Sequence, residues 1–402
     1  MTSDHDKARH GPGLGPLNGV TILDLSRVLA GPYATMVLND LGARVIKIER
    51  PAADDDPGGD DSRHYGPFIE NDSAYFMSLN RGKESIALDL KDDTDRAIFD
   101  KLLTRADVLV ENFRPGVMEK LGYGWEKLHA EHPRLIYAAC SGFGQTGPYA
   151  KRAAYDMVVQ AMGGIMSITG TPDGPPVRVG TSIGDITAGL FTAVGINAAL
   201  FERSKTGLGQ FVDVAMLDCQ VAILENAIAR YSALREVPGP LGARHPTITP
   251  FAAFKAQDAY VVVAAGNDGL FARTAQVLGR PDLPSDPRFN SNRARNENIE
   301  ALNEIIEACL AERPVAEWLE ALLAAGVPCG PINNVADLFT DPHIKARNML
   351  VDMDHPRHGP VTMPGNPIKL SGSPDRHERA SAPDLDTDRA DILAEFGDGN
   401  AE

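Results

Sequence analysis

Asp185 is the residue of this chain best placed for nucleophilic chemistry. It stands directly before an uncharged run, residues 186–201, whose content of Ala, Gly, Leu and Val is typical of a buried helix. Backbone N–H groups and a partial positive charge at a helix N-terminus favour an ionised carboxylate. Such a carboxylate can attack an activated carbonyl, although Asp is also a favoured N-cap without any catalytic role. The sequence therefore predicts an ionised Asp185 that is either a nucleophile or a cap.

Alternating strands and helices are predicted to position Asp185 in the first half of the chain. The predicted strands cover residues 20–25, 44–49, 85–90, 107–110, 134–139 and 210–214, and the helices cover residues 33–41, 94–105 and the run after Asp185. Pro32 suits the first turn of the first helix, and Gly42 suits its end. Strand–helix repetition with short links predicts a parallel sheet covered by helices.

The pattern changes in the second half, which predicts a smaller α+β domain. Its predicted elements are a helix at residues 217–235, a Pro/Gly break at 237–242, two strands within 251–265, helices near 268–279, 296–312 and 314–325, and a hairpin near 356–364. The expected domains are a disordered tail (1–16), a large domain (17–225), a small domain (237–330) and a C-terminal segment (331–402). That last segment is expected to return to the large domain, with a flexible acidic tail after Ser373 and a final short helix.

Cations and amides follow several of the predicted strands. They are Arg27, Lys47, Arg50, Asn80, Arg81, Lys83, Asn112, Arg114, Lys151 and Arg152. Ligands of doubly wound sheets bind at the carboxyl ends of the strands, so this set favours a polyanionic ligand with phosphates. Any single Lys or Arg on a loop is usually only solvated. No G-x-G-x-x-G supports a dinucleotide dehydrogenase, and the acidic residues 52–64 are expected to form a mobile surface loop.

Bulk composition narrows the class of protein. The chain has 402 residues, 43% hydrophobic and 23% charged, and a formal charge of −16, which argues against nucleic acid or an anionic membrane as partner. Four scattered cysteines, without paired spacing, indicate a reduced, cytoplasmic protein and no metal site. The 16 uncharged residues after Asp185 fall short of a membrane span, and residues 1–15 lack the apolar core of a signal peptide.

Seven motifs, in this order, resemble class III CoA-transferases, the CaiB/BaiF-like family that includes formyl-CoA and carnitine CoA-transferases. They are residues 23–32 (LDLSRVLAGP), 45–51 (VIKIERP), 110–116 (VENFRPG), 142–149 (GFGQTGPY), 184–185 (GD), 205–210 (KTGLGQ) and 365–371 (GNPIKLS). The resemblance covers about residues 17–375. It implies a Rossmann-like large domain, a small α+β domain and an interlocked homodimer.

The resemblance also implies site residues and substrates. Asp185 corresponds to the family's nucleophile. The CoA-binding positions that it implies are Arg27, Val28 and Leu29 along the CoA chain, Arg50, Asn112 and Phe113 at the adenosine and phosphates, and also Lys120, Arg152 and Tyr155. CoA thioesters are expected as substrates, together with a small carboxylic acid, and no cofactor is expected to be tightly bound.

The implied chemistry runs through covalent intermediates on Asp185. Attack on the donor thioester gives an aspartyl anhydride, and returning CoA thiolate converts it to an aspartyl-CoA thioester. The acceptor acid then reverses these steps, and water must be kept out meanwhile. Backbone N–H groups near Gly163, Gly164 and Gly184 are candidate donors to the reacting carbonyl, although the sequence cannot define an oxyanion hole.

Two alternatives remain open from the sequence. The α-methylacyl-CoA racemases share the fold, but they have a His where this chain has Tyr155, and a phenol is a poor replacement for imidazole near neutral pH. Asp156, which follows, is expected to be structural. The other alternative is a CoA-binding protein that has lost catalysis, which the retained pair Gly184 and Asp185 disfavours.

The acceptor is expected to be larger than formate or oxalate. Residues 244–251 lead directly into the predicted strands without the run of glycines found in formyl-CoA transferases. Members that use succinyl-CoA with dicarboxylates such as glutarate, malate or itaconate resemble the chain more closely. Arg230, Arg244 and His245 are candidates to hold a distal carboxylate, although a structural role is at least as well supported for each.

Overall fold

The computed structural model describes residues 15–397, which divide into two compact units. The first unit comprises residues 15–166, 178–235 and 342–397, and the second comprises residues 167–177 and 236–341. The predicted tail, residues 1–16, lies outside the described residues except for its last two positions. The domain boundaries drawn from the sequence remain a prediction.

The described residues form fourteen strands, numbered in chain order. They are β1 (Thr21–Asp24), β2 (Arg44–Glu49), β3 (Phe68–Ile69), β4 (Asp72–Ser73), β5 (Glu84–Ala87), β6 (Val108–Glu111), β7 (Ile136–Ser141), β8 (Phe211–Ala215), β9 (Phe251–Lys255), β10 (Tyr260–Ala264), β11 (Cys329–Pro331), β12 (Leu350–His355), β13 (Gly359–Pro364) and β14 (Glu378–Arg379).

The same residues form seventeen α-helices. They are α1 (Ala30–Asp40), α2 (Ala74–Asn80), α3 (Asp93–Leu103), α4 (Val117–Leu121), α5 (Trp125–Glu131), α6 (Asp156–Met162), α7 (Ile165–Ile168), α8 (Ile183–Thr206), α9 (Met216–Ala222), α10 (Glu225–Leu234), α11 (Asp268–Val277), α12 (Asn292–Glu297), α13 (Ile299–Leu310), α14 (Val315–Ala324), α15 (Val335–Leu338), α16 (Pro342–Ala346) and α17 (Arg389–Gly397).

The first unit is built on a six-stranded sheet in the order β5-β2-β1-β6-β7-β8. Every neighbouring pair is parallel, which confirms the predicted parallel α/β fold. From β1 the chain builds outward to β2 and β5, and then returns to add β6 on the other side of β1. This reversal creates a crevice at the carboxyl ends of β1 and β6, where ligands of such sheets bind.

Successive side chains of each central strand pack on opposite faces of this sheet. On one face, Leu23 and Ile46 pack in a core that also contains Phe99 of α3 and Ile392 of α17. The opposite core contains Ile22, Val45 and Val110, with Leu38 of α1 and Ile196 of α8. Helices therefore cover both faces, which is why the strands are apolar throughout. As predicted, α1 has Pro32 in its first turn and Gly42, at φ +104°, after its end.

Helix α8 is longer than the uncharged run suggested. It has 24 residues, and by length and composition it could cross a membrane, so the expectation that this segment is too short was wrong. Its glycines instead allow close packing within the first unit. A Cβ at Gly189 would lie 2.7 Å from the carbonyl oxygen of Ala30, and one at Gly195 would lie 2.7 Å from Val212. The first turn of α1 is consequently close to the second turn of α8.

The second unit has its own core. Strands β9 and β10 form the antiparallel pair that the sequence predicted, and β11 pairs with the other edge of β10. Phe254 and Val261 of this sheet pack with Phe271, Leu302 and Trp318 of the helices. Because these apolar residues bury one another within a three-stranded sheet and its helices, the unit forms a separate α+β layer structure.

The C-terminal segment carries the predicted hairpin, β12–β13, and a short strand, β14, parallel to β12. Part of the stretch expected to be flexible is held against β5. The Asp388 carboxylate accepts the backbone N–H of Ser85 at 2.9 Å, and the Asp386 carboxylate accepts that of Ala87 at 2.7 Å. Residues 389–397 then form the last helix, α17, whose Ile392 is fully buried.

Candidate active site

An open cavity, about 930 Å³ including the solvent space at its mouth, lies at the carboxyl ends of β1, β6 and β7, in the first unit. It is the crevice that the strand order creates. Its walls are the segment after β1, the segment after β6, the residues around β7 and the first turn of α8. We refer to it as the Asp185 cavity, since Asp185 is the acid of α8 in its lining.

Most of the residues that the sequence singled out meet at this cavity. Its lining includes Arg27, Val28, Leu29, Asn112, Phe113, Arg152, Tyr155 and Asp185. Arg50 and Lys120 are not in that lining. The Arg50 guanidinium instead lies 2.9 Å from the Asp56 carboxylate on an exposed loop, and Lys120 is exposed on α4. The roles of all these residues in CoA binding remain predictions.

The segment after β1 is held by side chains from three other places in the chain. The Asn112 side-chain oxygen accepts the backbone N–H of Arg27 at 2.9 Å, and its amide nitrogen donates to the Arg27 carbonyl at 2.7 Å. Lys47 donates to the Ser26 carbonyl at 2.7 Å. The Asp60 carboxylate accepts the backbone N–H of Val28 at 2.9 Å. These bonds fix the direction of the backbone along one wall of the cavity.

Several cations predicted to face a ligand are buried and paired instead. Lys83 lies 3.0 Å from the Asp24 carboxylate, and Lys47 lies 2.8 Å from the Asp60 carboxylate, with all four side chains buried. Arg81 is likewise buried, 2.6 Å from the Asp40 carboxylate, and Asn80 accepts from Lys83. The prediction that these residues present charge to a polyanion was wrong, because each charge is neutralised inside the first unit.

The acidic loop at residues 52–64 was expected to be mobile, but its second half is built into the fold. Asp60 is buried and caps a short 3₁₀ turn, Asp61–His64, by accepting the backbone N–H of Ser62. Arg63 lies 2.7 Å from the buried Glu49 carboxylate. Asp is a favoured N-cap residue, which is the local reason for its position before this turn. The buried partner Lys47 could not be inferred from local pattern.

Exposed guanidinium groups and aromatic rings remain at the cavity. Arg27 lies over the ring of Phe113 at 5.7 Å, and Arg152 lies over that of Tyr149 at 3.8 Å. Arg27 is also 3.3 Å from the Asp61 carboxylate, with both side chains partly exposed to solvent. Guanidinium groups positioned in this way can bind phosphate oxygens with two N–H donors each.

Asp185 is the third residue of α8, inside the first turn and not before it. Among the described residues, none donates a hydrogen bond to its carboxylate. Burial, and to a lesser extent the Asp156 carboxylate, raise its pKa to about 7. The expectation that the helix N-terminus keeps Asp185 fully ionised was therefore wrong: desolvation outweighs the helix charge. At neutral pH a substantial fraction is ionised, and that fraction has no partner to quench its nucleophilicity.

Three neighbours of Asp185 escaped sequence reasoning or were underrated by it. The Asp156 carboxylate accepts the backbone N–H of Gly184 at 2.8 Å, and its negative charge contributes to raising the pKa of Asp185. Burial first, and then Asp185, raise the pKa of Tyr75 to about 12. Cys140, at the end of β7, lines the same cavity, and burial raises its pKa to about 12. These thiol and phenol groups are therefore neutral near pH 7.

One group of three potential metal ligands occurs among the described residues, away from the Asp185 cavity. It consists of Asp72, His355 and His358, whose ligand atoms lie within 4.8 Å of one another. Arg357 already contacts both oxygens of Asp72 at 2.8 Å, and the two imidazole rings stack with 15° between their planes. His358 Nε2 lies 2.7 Å from the same Asp72 carboxylate, so these contacts form an ion-pair network centred on Asp72.

The fold and this cavity define an α/β enzyme that can act on an anionic substrate through a carboxylate. A family model described as CoA-transferase family III matches residues 17–389. The chain therefore belongs to CoA-transferase family III, and the protein is a CoA-transferase.

Curated relatives with this activity cover nearly the whole chain. The acetyl-CoA:oxalate CoA-transferase of Acetobacter aceti is 50% identical over 383 residues, which are 95% of this chain and 96% of the relative. The succinyl-CoA:glutarate CoA-transferase of Homo sapiens is 41% identical over 357 residues, 89% of this chain and 80% of the relative. Among solved structures, a CaiB/BaiF family protein from Brucella suis superposes with a TM-score of 0.83 at 40% identity, covering 95% of this chain and 99% of that one.

Proposed function

We propose that this enzyme moves CoA from succinyl-CoA to a dicarboxylate, with Asp185 as the nucleophile. One observation carries the proposal: Asp185 lines the cavity at the sheet's crevice with a pKa of about 7 and no hydrogen-bond donor among the described residues. An acid that serves only as a cap would accept backbone N–H groups. The Asp156 carboxylate of α6 accepts the backbone N–H of Gly184 in the first turn of α8, which leaves Asp185 available for chemistry.

Each step of the mechanism conserves the thioester's energy. The Asp185 carboxylate attacks the carbonyl of the donor thioester and forms a C–O bond. The C–S bond breaks, CoA thiolate leaves, and an aspartyl–acyl anhydride remains. The thiolate then attacks the aspartyl carbonyl and releases the donor acid, which leaves an aspartyl-CoA thioester. The acceptor carboxylate attacks this thioester and displaces the thiolate. The thiolate finally attacks the acceptor's carbonyl, giving the new acyl-CoA and free Asp185.

CoA would lie along the cavity wall formed by the segment after β1. Arg27, Arg114 and Arg152 are the guanidinium groups in the lining and would bind phosphate oxygens. Phe113, under Arg27, offers an aromatic surface for the adenine. Arg50 and Lys120 keep their predicted roles only if ligand binding brings them to the cavity. CoA is a substrate in this scheme, and no tightly bound cofactor is needed.

The choice of acids rests on the relatives' names. Succinyl-CoA with glutarate is the pair named for the human relative, and oxalate with acetyl-CoA for the one at 50% identity. The expectation of an acceptor larger than oxalate rested on the missing glycine run. A relative that is 50% identical to this chain is named for oxalate, so that expectation loses its support. We therefore propose a dicarboxylate without a lower limit on its length. His245 is a weaker candidate to bind it, since its Nδ1 already accepts two backbone N–H groups.

A homodimer is part of the proposal, in the interlocked form that the family resemblance implies. Large apolar side chains are exposed along helices of the first unit: Met157, Val158, Met162, Leu190, Phe191, Val194, Phe201, Ile228, Tyr231 and Leu234. An exposed apolar set of this extent is typical of a protein interface. Light scattering on the purified enzyme checks the mass, and a monomer at micromolar concentration would contradict the proposal.

We also propose a cytoplasmic enzyme that binds neither nucleic acid nor membrane. The four cysteines are scattered along the chain without paired spacing, which supports a reducing compartment. The net charge of −16 disfavours polyanions other than a ligand with a locally basic site. Fractionation of cells that produce the protein checks the location.

A mass-spectrometric transfer assay tests the function. The enzyme is incubated with succinyl-CoA and a mixture of oxalate, glutarate and other acids, and the CoA products are identified. Wild type should form a new thioester, and Asp185→Ala should not. Glu202→Ala is the matched control, because it removes an exposed acid from the far end of the same helix. Wild-type turnover by Asp185→Ala would exclude the mechanism, and α-proton exchange without transfer would indicate a racemase.

A further inference from the structure

Gln160 is a fully buried amide on α6, one turn after Asp156. Residues four apart lie on the same face of a helix. The Gln160 Nε2 donates to Oδ2 of Asp156 at 2.7 Å, and its Oε1 accepts the backbone N–H of Val179 at 2.9 Å. If the amide were flipped, its oxygen would face the Asp156 carboxylate and its nitrogen would face the Val179 N–H. Both hydrogen bonds therefore require the same amide orientation.

The other oxygen of Asp156 supports the first turn of α8. Oδ1 accepts the backbone N–H of Gly184 at 2.8 Å, whereas the N-cap residue Ser182 contributes no side-chain bond. A Cβ at position 184 would lie 2.9 Å from that oxygen and 2.7 Å from Val159, so the approach requires glycine. Gln160 and Asp156 thus connect Val179, before the helix, with the residue that precedes the nucleophile.

We infer that Gln160 is a positioning residue for the reaction: it holds the Asp156 carboxylate against the first turn of α8 and thereby fixes the place and charge environment of Asp185. The inference rests on the proposed role of Asp185 as nucleophile. Gln160 itself does not line the cavity, so it acts through Asp156 and not on the substrate.

The charge of Asp156 reaches Asp185 directly. After burial, it is the cause that raises the pKa of Asp185. The other titratable groups coupled to Asp185 are Tyr75 of α2 and Cys140 of β7, both neutral near pH 7. Gln160 donates to Oδ2 of Asp156 and so holds that carboxylate in place. Removing that donor should let the carboxylate turn away from the first turn of α8, which lowers the pKa of Asp185.

Two substitutions separate this role from a purely structural one. Gln160→Met keeps the length and removes both bonds. Gln160→Glu keeps the acceptor for Val179 but puts a second carboxylate beside Asp156. The rate should fall about tenfold or more in each, because the nucleophile is misplaced. The acidic limb of the pH–rate profile should move to lower pH in Gln160→Met. It should move to higher pH in Gln160→Glu, because the added negative charge disfavours ionisation of Asp185.

The assay is exchange of isotopically labelled CoA into succinyl-CoA, which needs no acceptor acid. It is measured as a function of pH, with the KM for succinyl-CoA expected to stay within about threefold of wild type. Asn197→Leu is the matched control: it removes an amide that donates to the Ala193 carbonyl of the same helix, about three turns beyond Asp185, and should leave the profile unchanged. Thermal unfolding of every variant identifies any that fails to fold.

A double-mutant cycle completes the test. Asp156→Asn should move the acidic limb to lower pH, and adding Gln160→Met should produce no further shift, because the amide acts through that carboxylate. Additive shifts, or a wild-type pH limb in both folded Gln160 variants, would overturn the inference. Exchange that persists in Asp185→Ala would instead refute the proposed nucleophile, so the two failures are distinguishable.

Discussion

The Asp60 carboxylate holds Val28 in a left-handed backbone conformation. Val28 has φ +67°, and its N–H lies 2.9 Å from Oδ1 of Asp60. A β-branched residue avoids this region because its Cβ approaches the carbonyl oxygen, at a cost of roughly 1–2 kcal/mol. The Asp60–Lys47 ion pair and the Asn112 amide hold the neighbouring backbone, so this cost is offset around a wall of the Asp185 cavity.

Replacing Val28 with Asn should stabilise the protein, because Asn tolerates the left-handed region. The free energy of unfolding should rise by about 1 kcal/mol, measured by urea denaturation. Val237→Asn is the control, since Val237 is exposed and has no positive φ, and it should change stability by less than about 0.5 kcal/mol. A loss of stability in Val28→Asn would show that the Val side chain's packing outweighs the strain.

The parallel sheet was predictable from the sequence because its signals are local. Apolar runs identify β1 and β2, while Pro32 and Gly42 delimit α1. The sheet order then places the cavity at the β1 and β6 ends, and the segments at Arg27 and Asn112 meet there. Loops that follow parallel strands must share one edge, so the site's location followed from the order of the elements.

The electrostatics of the site were not predictable, because they depend on partners far apart in the chain. Lys83 and Asp24 are separated by 59 residues, and Lys47 and Asp60 pair through a loop whose composition indicated mobility. A Lys near the end of a strand has the same local pattern whether it binds a phosphate or a buried carboxylate. Likewise, the raised pKa of Asp185 comes from the burial of the carboxylate itself and from Asp156 on another helix. The uncharged run predicts a buried helix but gives neither the burial of this carboxylate nor its distance from Asp156.

CoA transfer should depend on pH through Asp185. The nucleophile must be ionised, and its pKa is about 7, so kcat/KM should fall tenfold per pH unit below that value and level off above it. Initial rates with succinyl-CoA and the best acceptor measure this dependence. Pre-incubation at each pH and assay at neutral pH controls for unfolding. A rate constant that is flat between about pH 5 and pH 8 would contradict the assignment.

Asp185 should also destabilise the folded enzyme at alkaline pH. Its pKa is raised from 3.8 to about 7 on folding, so the unfolded chain gives up the proton first. Folding is therefore penalised progressively as pH rises from about 4 to about 7, by at most on the order of 4 kcal/mol. Asp185→Asn should unfold at a higher denaturant concentration than wild type at about pH 8, and the difference should shrink near pH 4. A difference that does not vary with pH would mean that Asp185 is not buried in solution.

Lys83 should matter for stability and not for contact with CoA. Its ammonium group lies 3.0 Å from Asp24 and also donates to Asn80, with no exposed surface. Lys83→Met removes the ion-pair partner of the buried Asp24 carboxylate, which then accepts hydrogen bonds from the uncharged Ser26 and Thr35. This loss should lower the free energy of unfolding by about 3–5 kcal/mol. Lys91→Met, at an exposed position, should have an effect within about 0.5 kcal/mol. Urea denaturation measures both. A raised KM for succinyl-CoA without loss of stability would show that Lys83 binds a phosphate after all, as its membership of the predicted cation set first suggested.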